Sequence, residues 1–114
     1  MMQQRSIKVI KSIDIFRKIT DLDAFKEIFS TEVYPAIVRI PGVIQVKLTS
    51  VTPLSTDLSQ DVEGIELILE IYLESEEALD RIITSPEAQK AMQLANKLPG
   101  ELSLFLGREE TLSL

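Results

Sequence analysis

Hydrophobic residues alternate with polar ones along four segments of the chain and recur at helical spacing along two others. In Ser6 to Ile15, the residues Ile7, Val9, Ile13 and Ile15 hold alternate positions, the period of two that marks a half-buried strand. Thr20 and Asp21 then offer N-cap oxygens, and Leu22, Phe25, Ile28, Phe29, Val33, Ile37 and Ile40 follow at helical spacing. Pro35 lies inside that helix. It removes a backbone donor and crowds the preceding turn, so a kink, or two helical segments in tandem, is expected there. Pro41-Gly42 closes the segment, because Pro resists continuing a helix and Gly tolerates positive φ.

Val43 to Thr52 alternates again, with Ile44, Val46 and Leu48 set against Gln45, Lys47 and Thr49. Pro53 to Glu63 is polar and is expected to form a mobile loop. From Gly64 to Leu73 the pattern is strongest: Ile65, Leu67, Leu69, Ile71 and Leu73 make one wholly apolar face, and Glu66, Ile68, Glu70 and Tyr72 make the other. Ser75 caps a second helix, with Glu76 and Glu77 at the positive end of its dipole. Ser85-Pro86-Glu87 restarts it, and Ala88, Ala91, Met92 and Ala95 carry the apolar stripe on. Asn96 to Gly100 stops that helix, and Leu102, Leu104 and Leu106 alternate in a last strand. The order is β-α-β-β-α-β. It predicts one α+β domain over residues 1–114, with its core from about residue 6 to about residue 108. The expected architecture is a four-stranded antiparallel sheet in the order 4-1-3-2 with both helices on one face, against the apolar side of the third strand.

The helix-free face of such a sheet meets either water or a partner. By regular alternation it holds Ile10, Val43, Val51, Ile68, Tyr72 and Phe105 among Lys8, Gln45, Lys47, Glu66 and Glu70. One reading is a solvated face with ion pairs across strands. Apolar residues interrupt the charges, however, and a solvated face tends to be uniformly polar. A sheet-to-sheet homodimer centred on Lys47, Ile68 and Tyr72 is therefore expected.

Composition narrows the chemistry. The 114 residues carry a net charge of −6 and contain no Cys, His or Trp. An acidic surface repels phosphate, so nucleic-acid binding is not expected. Without Cys or His, soft-metal sites and the common nucleophile–base pairs cannot be built. No metal-ligand spacing or phosphate-cradling glycine loop stands out, and no cofactor is expected. The polar start, Met1 to Ser6, has no signal-peptide core, and no apolar run approaches the roughly 20 residues that cross a bilayer. A cytoplasmic protein is expected, with no membrane partner.

Four stretches then acquire meaning together: Asp21-Leu-Asp-Ala-Phe-Lys26, Pro35-Ala-Ile-Val-Arg-Ile-Pro-Gly-Val43, Glu70-Ile-Tyr-Leu-Glu-Ser-Glu-Glu-Ala-Leu79 and Thr84-Ser-Pro-Glu-Ala-Gln89. In their order and spacing the chain resembles the EthD-like family of dimeric α+β barrel proteins, from about Ile7 to Glu110. The resemblance implies a ferredoxin-like monomer, a dimer formed through the sheets, and a small-molecule cleft between sheet and helices. It also implies a link to the degradation or tailoring of small organic compounds, some relatives being cofactor-free enzymes. Family members often carry a His two residues before the Pro of the first helix. Here that residue is Val33, and no other His replaces it.

Within such a cleft, Lys11 is the charged residue that alternation sends to the helix-facing side, beside Ile7, Val9, Ile13 and Ile15. A desolvated lysine there could act as base or anion anchor, against the plainer reading of a bulge or a stem that reaches water. Tyr34 lies beside the break at Pro35. The expected ligand site is therefore Lys11, Phe29, Val33 and Tyr34, with no catalytic residue assigned. Arg17 and Arg39 read as solvated, Phe25 and Phe29 as core positions by spacing, and Glu76-Glu77 and Glu109-Glu110 as solvated charge or dipole partners. The expected function is binding of a small, largely apolar organic molecule. The alternatives are a cofactor-free enzyme of oxygenase, isomerase or lyase type, and a purely structural dimeric module. A haem-using monooxygenase on this fold is disfavoured by the missing His.

Overall fold

The sheet is organised around β1 (Val9–Arg17), which pairs antiparallel with β3 (Ile65–Leu73) on one side and with β4 (Glu101–Glu109) on the other. β2 (Val43–Ser50) pairs antiparallel with β3, which gives the order β2-β3-β1-β4, the order expected from the sequence. The computed structural model describes residues 9–55, 57 and 64–113. Ile7 and Lys8, assigned above to strand faces, and most of the polar segment after Pro53 lie outside the described residues.

The first helical segment begins as α1 (Leu22–Ile28), where the Asp21 side chain accepts the Ala24 N–H at 3.0 Å. It then widens into one π turn, Phe29–Val33, in which the Tyr34 N–H reaches back to the Phe29 carbonyl, and continues as α2 (Tyr34–Ile37). The tandem arrangement expected at Pro35 thus takes the form of a π turn. The wide turn shifts the register so that Pro35 falls in the first turn of α2, where a missing N–H breaks no helical bond. The second helical segment is also in two pieces. The Ser75 hydroxyl accepts the Ala78 N–H ahead of α3 (Leu79–Ile83), and Ser85 accepts the Ala88 N–H at the start of α4 (Pro86–Ala95).

One core lies between these helices and the sheet. Phe25 and Phe16 are its most enclosed large side chains, their rings edge-to-face with centroids 4.9 Å apart. Leu67, Leu69 and Leu73 meet Val33, Ile37 and Ile82 from the other side, so the apolar face of β3 is the helix-facing one, as expected. Burying each such side chain contributes about 1.5–3 kcal/mol.

The alternation of β1 corrects the expected faces. Ile10 pairs with Leu73, Ser12 with Ile71, Asp14 with Leu69 and Phe16 with Leu67, so these even-numbered residues share the helix-facing side. Lys11, Ile13 and Ile15 point the other way. The segment Ile10-Lys-Ser-Ile-Asp-Ile-Phe16 has apolar residues on both faces, so its own pattern admits either choice. The large Ile10 and Phe16 enter the core, and a shift of one residue exchanges every assignment. Ile10 therefore leaves the expected helix-free face. Val43 leaves it too: a bulge between Val43 and Gln45 sets Val43 beside Leu73, packed against the core.

Gly42 tests the turn that brings β2 into the sheet. Its φ is +97°, and an added Cβ would come within 2.6 Å of the buried Ile82 side chain. Gly42→Ala should cost about 1–3 kcal/mol in urea unfolding, from left-handed strain and overpacking together. Ile82→Val in the same chain should recover part of the overpacking, so the two changes should be less than additive.

Candidate functional site

Where the helices part above the centre of the sheet, a cavity of about 390 Å³ remains. Leu69, Ile71 and Leu73 of β3 form one wall. Val33 and Ile37, with Ala88, Ala91 and Ala95 of α4, form the roof, and the small alanines leave the space open. Ile83, Met92 and Leu104 stand at its edge and are about half exposed. The polar lining residues are Ser12, Asp14, Gln89 and Gln93, among the described residues.

Asp14 is the unusual member. It lies on the central strand, between Leu69 of β3 and Leu104 of β4 in register, and is only 7% exposed. The Ser12 hydroxyl, two residues back on the same face, donates to Asp14 Oδ1. Burial disfavours the charged carboxylate and pushes its pKa from the ordinary 3.8 up to about 6, while the bond from Ser12 pulls in the opposite direction. The result is a carboxyl group in an apolar cavity that keeps its proton above the ordinary carboxylate range.

The opposite side of the sheet treats its charges differently. Lys11 pairs with Glu70 and, at 2.7 Å, with Glu109. Its Nζ lies 3.5 Å from the Tyr72 hydroxyl, which donates to Glu109 at 3.2 Å. Lys47 stands 4.9 Å from the centroid of the Tyr72 ring, and Lys11 stands 5.1 Å from it, so both cations lie against the same aromatic ring. The Glu109 and Glu70 carboxylates hold the Lys11 ammonium above the ordinary lysine range, and Lys11 in turn holds Glu109 below the ordinary glutamate range.

Of the four residues expected at the ligand site, the structure brings only Val33 to the cavity. Lys11 is on the other side of the sheet, because the helix-facing row of β1 is the even-numbered one. Phe29 is buried in the core between Phe25 and Tyr34, with ring centroids at 6.2 and 6.3 Å. Tyr34, at the start of α2, is 45% exposed and does not line the cavity. Ser12 and Asp14 were not anticipated. A signal for Asp14 was present: an acid between Ile13 and Ile15 in mid-strand is disfavoured unless its site requires it. The expected interface residues Lys47, Ile68 and Tyr72 do share the helix-free face, since Lys47 pairs with Glu70 and Gln45 with Tyr72 in register. Among the described residues there is no cluster of potential metal ligands, and no helix is long and apolar enough to cross a membrane.

No protein-family model matches the sequence, and no curated protein matches it. Solved structures do. An ethyl tert-butyl ether D (EthD) family protein from Bacillus halodurans is 26% identical, with a TM-score of 0.75 over 89% of this chain and 98% of that one. A dimeric ferredoxin-like protein of unknown function from Thermobifida fusca is 12% identical, with a TM-score of 0.60 over 88% of this chain and 90% of the other. A hydroxynitrile lyase from Passiflora edulis is 15% identical, with a TM-score of 0.66 over 92% of this chain and 97% of the other. The last two share the fold. With the four sequence stretches, the strand order and the match to the Bacillus halodurans protein in agreement, the chain is similar to an EthD family protein and has the ferredoxin-like α+β fold.

Proposed function

We propose that the protein binds a small, largely apolar organic molecule in the cavity between the sheet and α2, α3 and α4. The observation that carries this reading is the cavity itself: about 390 Å³, walled by Leu, Ile, Val and Ala, with one buried carboxyl on its floor. Ligand sites commonly combine apolar walls with a few polar groups that set orientation. The structural likeness to an EthD family protein and to a hydroxynitrile lyase supports a role toward small organic compounds. One observation favours a second reading, a cofactor-free acid–base enzyme. Asp14 titrates near pH 6, where a carboxyl can both take and return a proton. That reading requires turnover of a substrate that ceases in Asp14→Asn; binding without turnover leaves the first.

The molecule works, in this proposal, as a homodimer closed through its helix-free face. Ile13, Ile15 and Ile68 are incompletely covered there, and Phe105 is 55% exposed. The Lys11, Glu70 and Glu109 charges between them are already paired, so covering the face desolvates few free charges. The dimeric ferredoxin-like neighbour from Thermobifida fusca is consistent with this.

Three measurements check these statements. Nile red, a neutral apolar fluorophore, should bind the wild type with a blue-shifted emission. Ala88→Phe should fill the cavity and weaken that binding by about tenfold or more, with the thermal melt showing that the fold persists. Asp14 sets the pH dependence of stability. Between about pH 4 and pH 6 the folded chain holds a proton that the unfolded chain has released, so stability falls as pH rises through this window and is level above it. Relative to Asp14→Asn, the wild type should lose up to about 3 kcal/mol across it, read by urea unfolding at several pH values. Finally, Ile68→Asp places an unpaired charge in the proposed interface and should give a monomer by light scattering. A wild type that is itself monomeric at tens of micromolar, on the order of a weak complex, removes the dimer.

A further inference from the structure

The cavity buries an acid without a cationic partner among the described residues, and that imbalance bears on what the ligand carries. Asp14 is the one charged side chain lining the cavity among the described residues. Every element around it presents uncharged groups: Leu69 and Leu104 from the flanking strands, Val33 and Ile37 from the first helical segment, and Gln89 and Gln93 with Ala91 from α4. The Ser12 hydroxyl satisfies one acceptor site on Oδ1, whereas an ionised carboxylate offers about four. At neutral pH a charge therefore faces the cavity largely uncompensated, and burying a charge is costly unless it is paired. The same sheet shows the alternative on its other side, where Glu70 and Glu109 both close on Lys11.

Resting on the cavity proposal above, we propose that the ligand supplies the missing cation: the site takes a small apolar amine, its hydrocarbon body against the Leu, Ile and Ala walls and its ammonium against the Asp14 carboxylate. A charge-assisted N–H···O bond to a buried carboxylate is roughly twice as strong as a neutral one. A neutral alcohol or carbonyl of the same shape gives a hydrogen bond but leaves the charge in place. A carboxylate ligand would repel it. The net charge of −6 acts in the same direction at long range, concentrating cations around the protein.

The test uses three shape-matched competitors of bound Nile red: phenethylamine, phenethyl alcohol and propylbenzene, on the full chain at about pH 7.5. The wild type should prefer the amine over the alcohol and the hydrocarbon by about tenfold or more. In Asp14→Asn the three should agree within about twofold, and Ser12→Ala, which keeps the carboxylate, should retain the preference. Amine affinity in the wild type should also fall as the pH drops below about 6 and Asp14 takes up its proton; this readout stands even if Asp14→Asn does not fold. Equal displacement by the three compounds overturns the inference while leaving the cavity proposal intact, because Nile red is still bound. An amine preference that survives Asp14→Asn, or that ignores pH, overturns it as well. If Nile red does not bind at all, the cavity proposal fails and this inference fails with it.

Discussion

The phase of the central strand governs the rest of the molecule. β1 is hydrogen-bonded on both edges, so each of its side chains must lie either under the helices or on the free face of the sheet, with no edge to escape to. Ile10 and Phe16 are drawn to the helix side because the core there is continuous with Leu67, Leu69 and Leu73. Once they are placed, a period of two leaves Ser12 and Asp14 no choice but to stand between them. Lys11, Ile13 and Ile15 are sent to the opposite face by the same rule. A single strand thereby delivers an acid to one side of the sheet and a base to the other, three residues apart in sequence.

The two groups then meet opposite electrostatic fates. Lys11 arrives among Glu70, Glu109 and the Tyr72 ring, and its charged form is strongly favoured. Asp14 arrives among leucines with one serine for company, and its charged form is disfavoured. The paired cluster has the character of a structural element: every charge has a partner, and replacing one member would strand another. The unpaired carboxyl has the character that the proposed site needs, because groups whose ionisation is opposed by burial cluster at functional sites. Gly107 contributes on the paired side. It sits beside Lys11 in register, and an added Cβ there would come within 2.6 Å of Ile13, so the absence of a side chain lets Lys11 and Ile13 lie flat across β4.

The cavity above Asp14 follows from how the helices are interrupted. Neither helical segment is a continuous α-helix: one is widened by a π turn before Pro35, and the other is broken at Ser85-Pro86. Phe29 and Val33, at the two ends of the π turn, are both buried, while Tyr34 just after it is exposed. Over the middle of the sheet, α4 offers Ala88, Ala91 and Ala95, beside the larger Gln89, Met92 and Gln93. Small side chains over a strand carrying Ser and Asp leave space where larger apolar ones would have closed it.

The element order, the strand order, the caps at Asp21, Ser75 and Ser85 and the apolar face of β3 were all legible in the sequence. Each rests on local chemistry or on a periodicity that admits one reading: five apolar residues alternate in β3, and only one side of that strand can be core. Gly42 and the break at Pro35 were legible for the same reason, since they depend on the φ range and the missing donor of single residues. The faces of β1 were not. Its apolar residues fall on both phases, so the choice belonged to the neighbours, and pairing with β3 and β4 decided that Asp14 lines a cavity while Lys11 does not. The displacement of Val43 by a bulge, the exposure of Tyr34 and the volume left beneath the alanines of α4 are likewise products of packing. A linear sequence states which side chains are available; which of them face one another across a space is set only when the strands pair and the helices close over them.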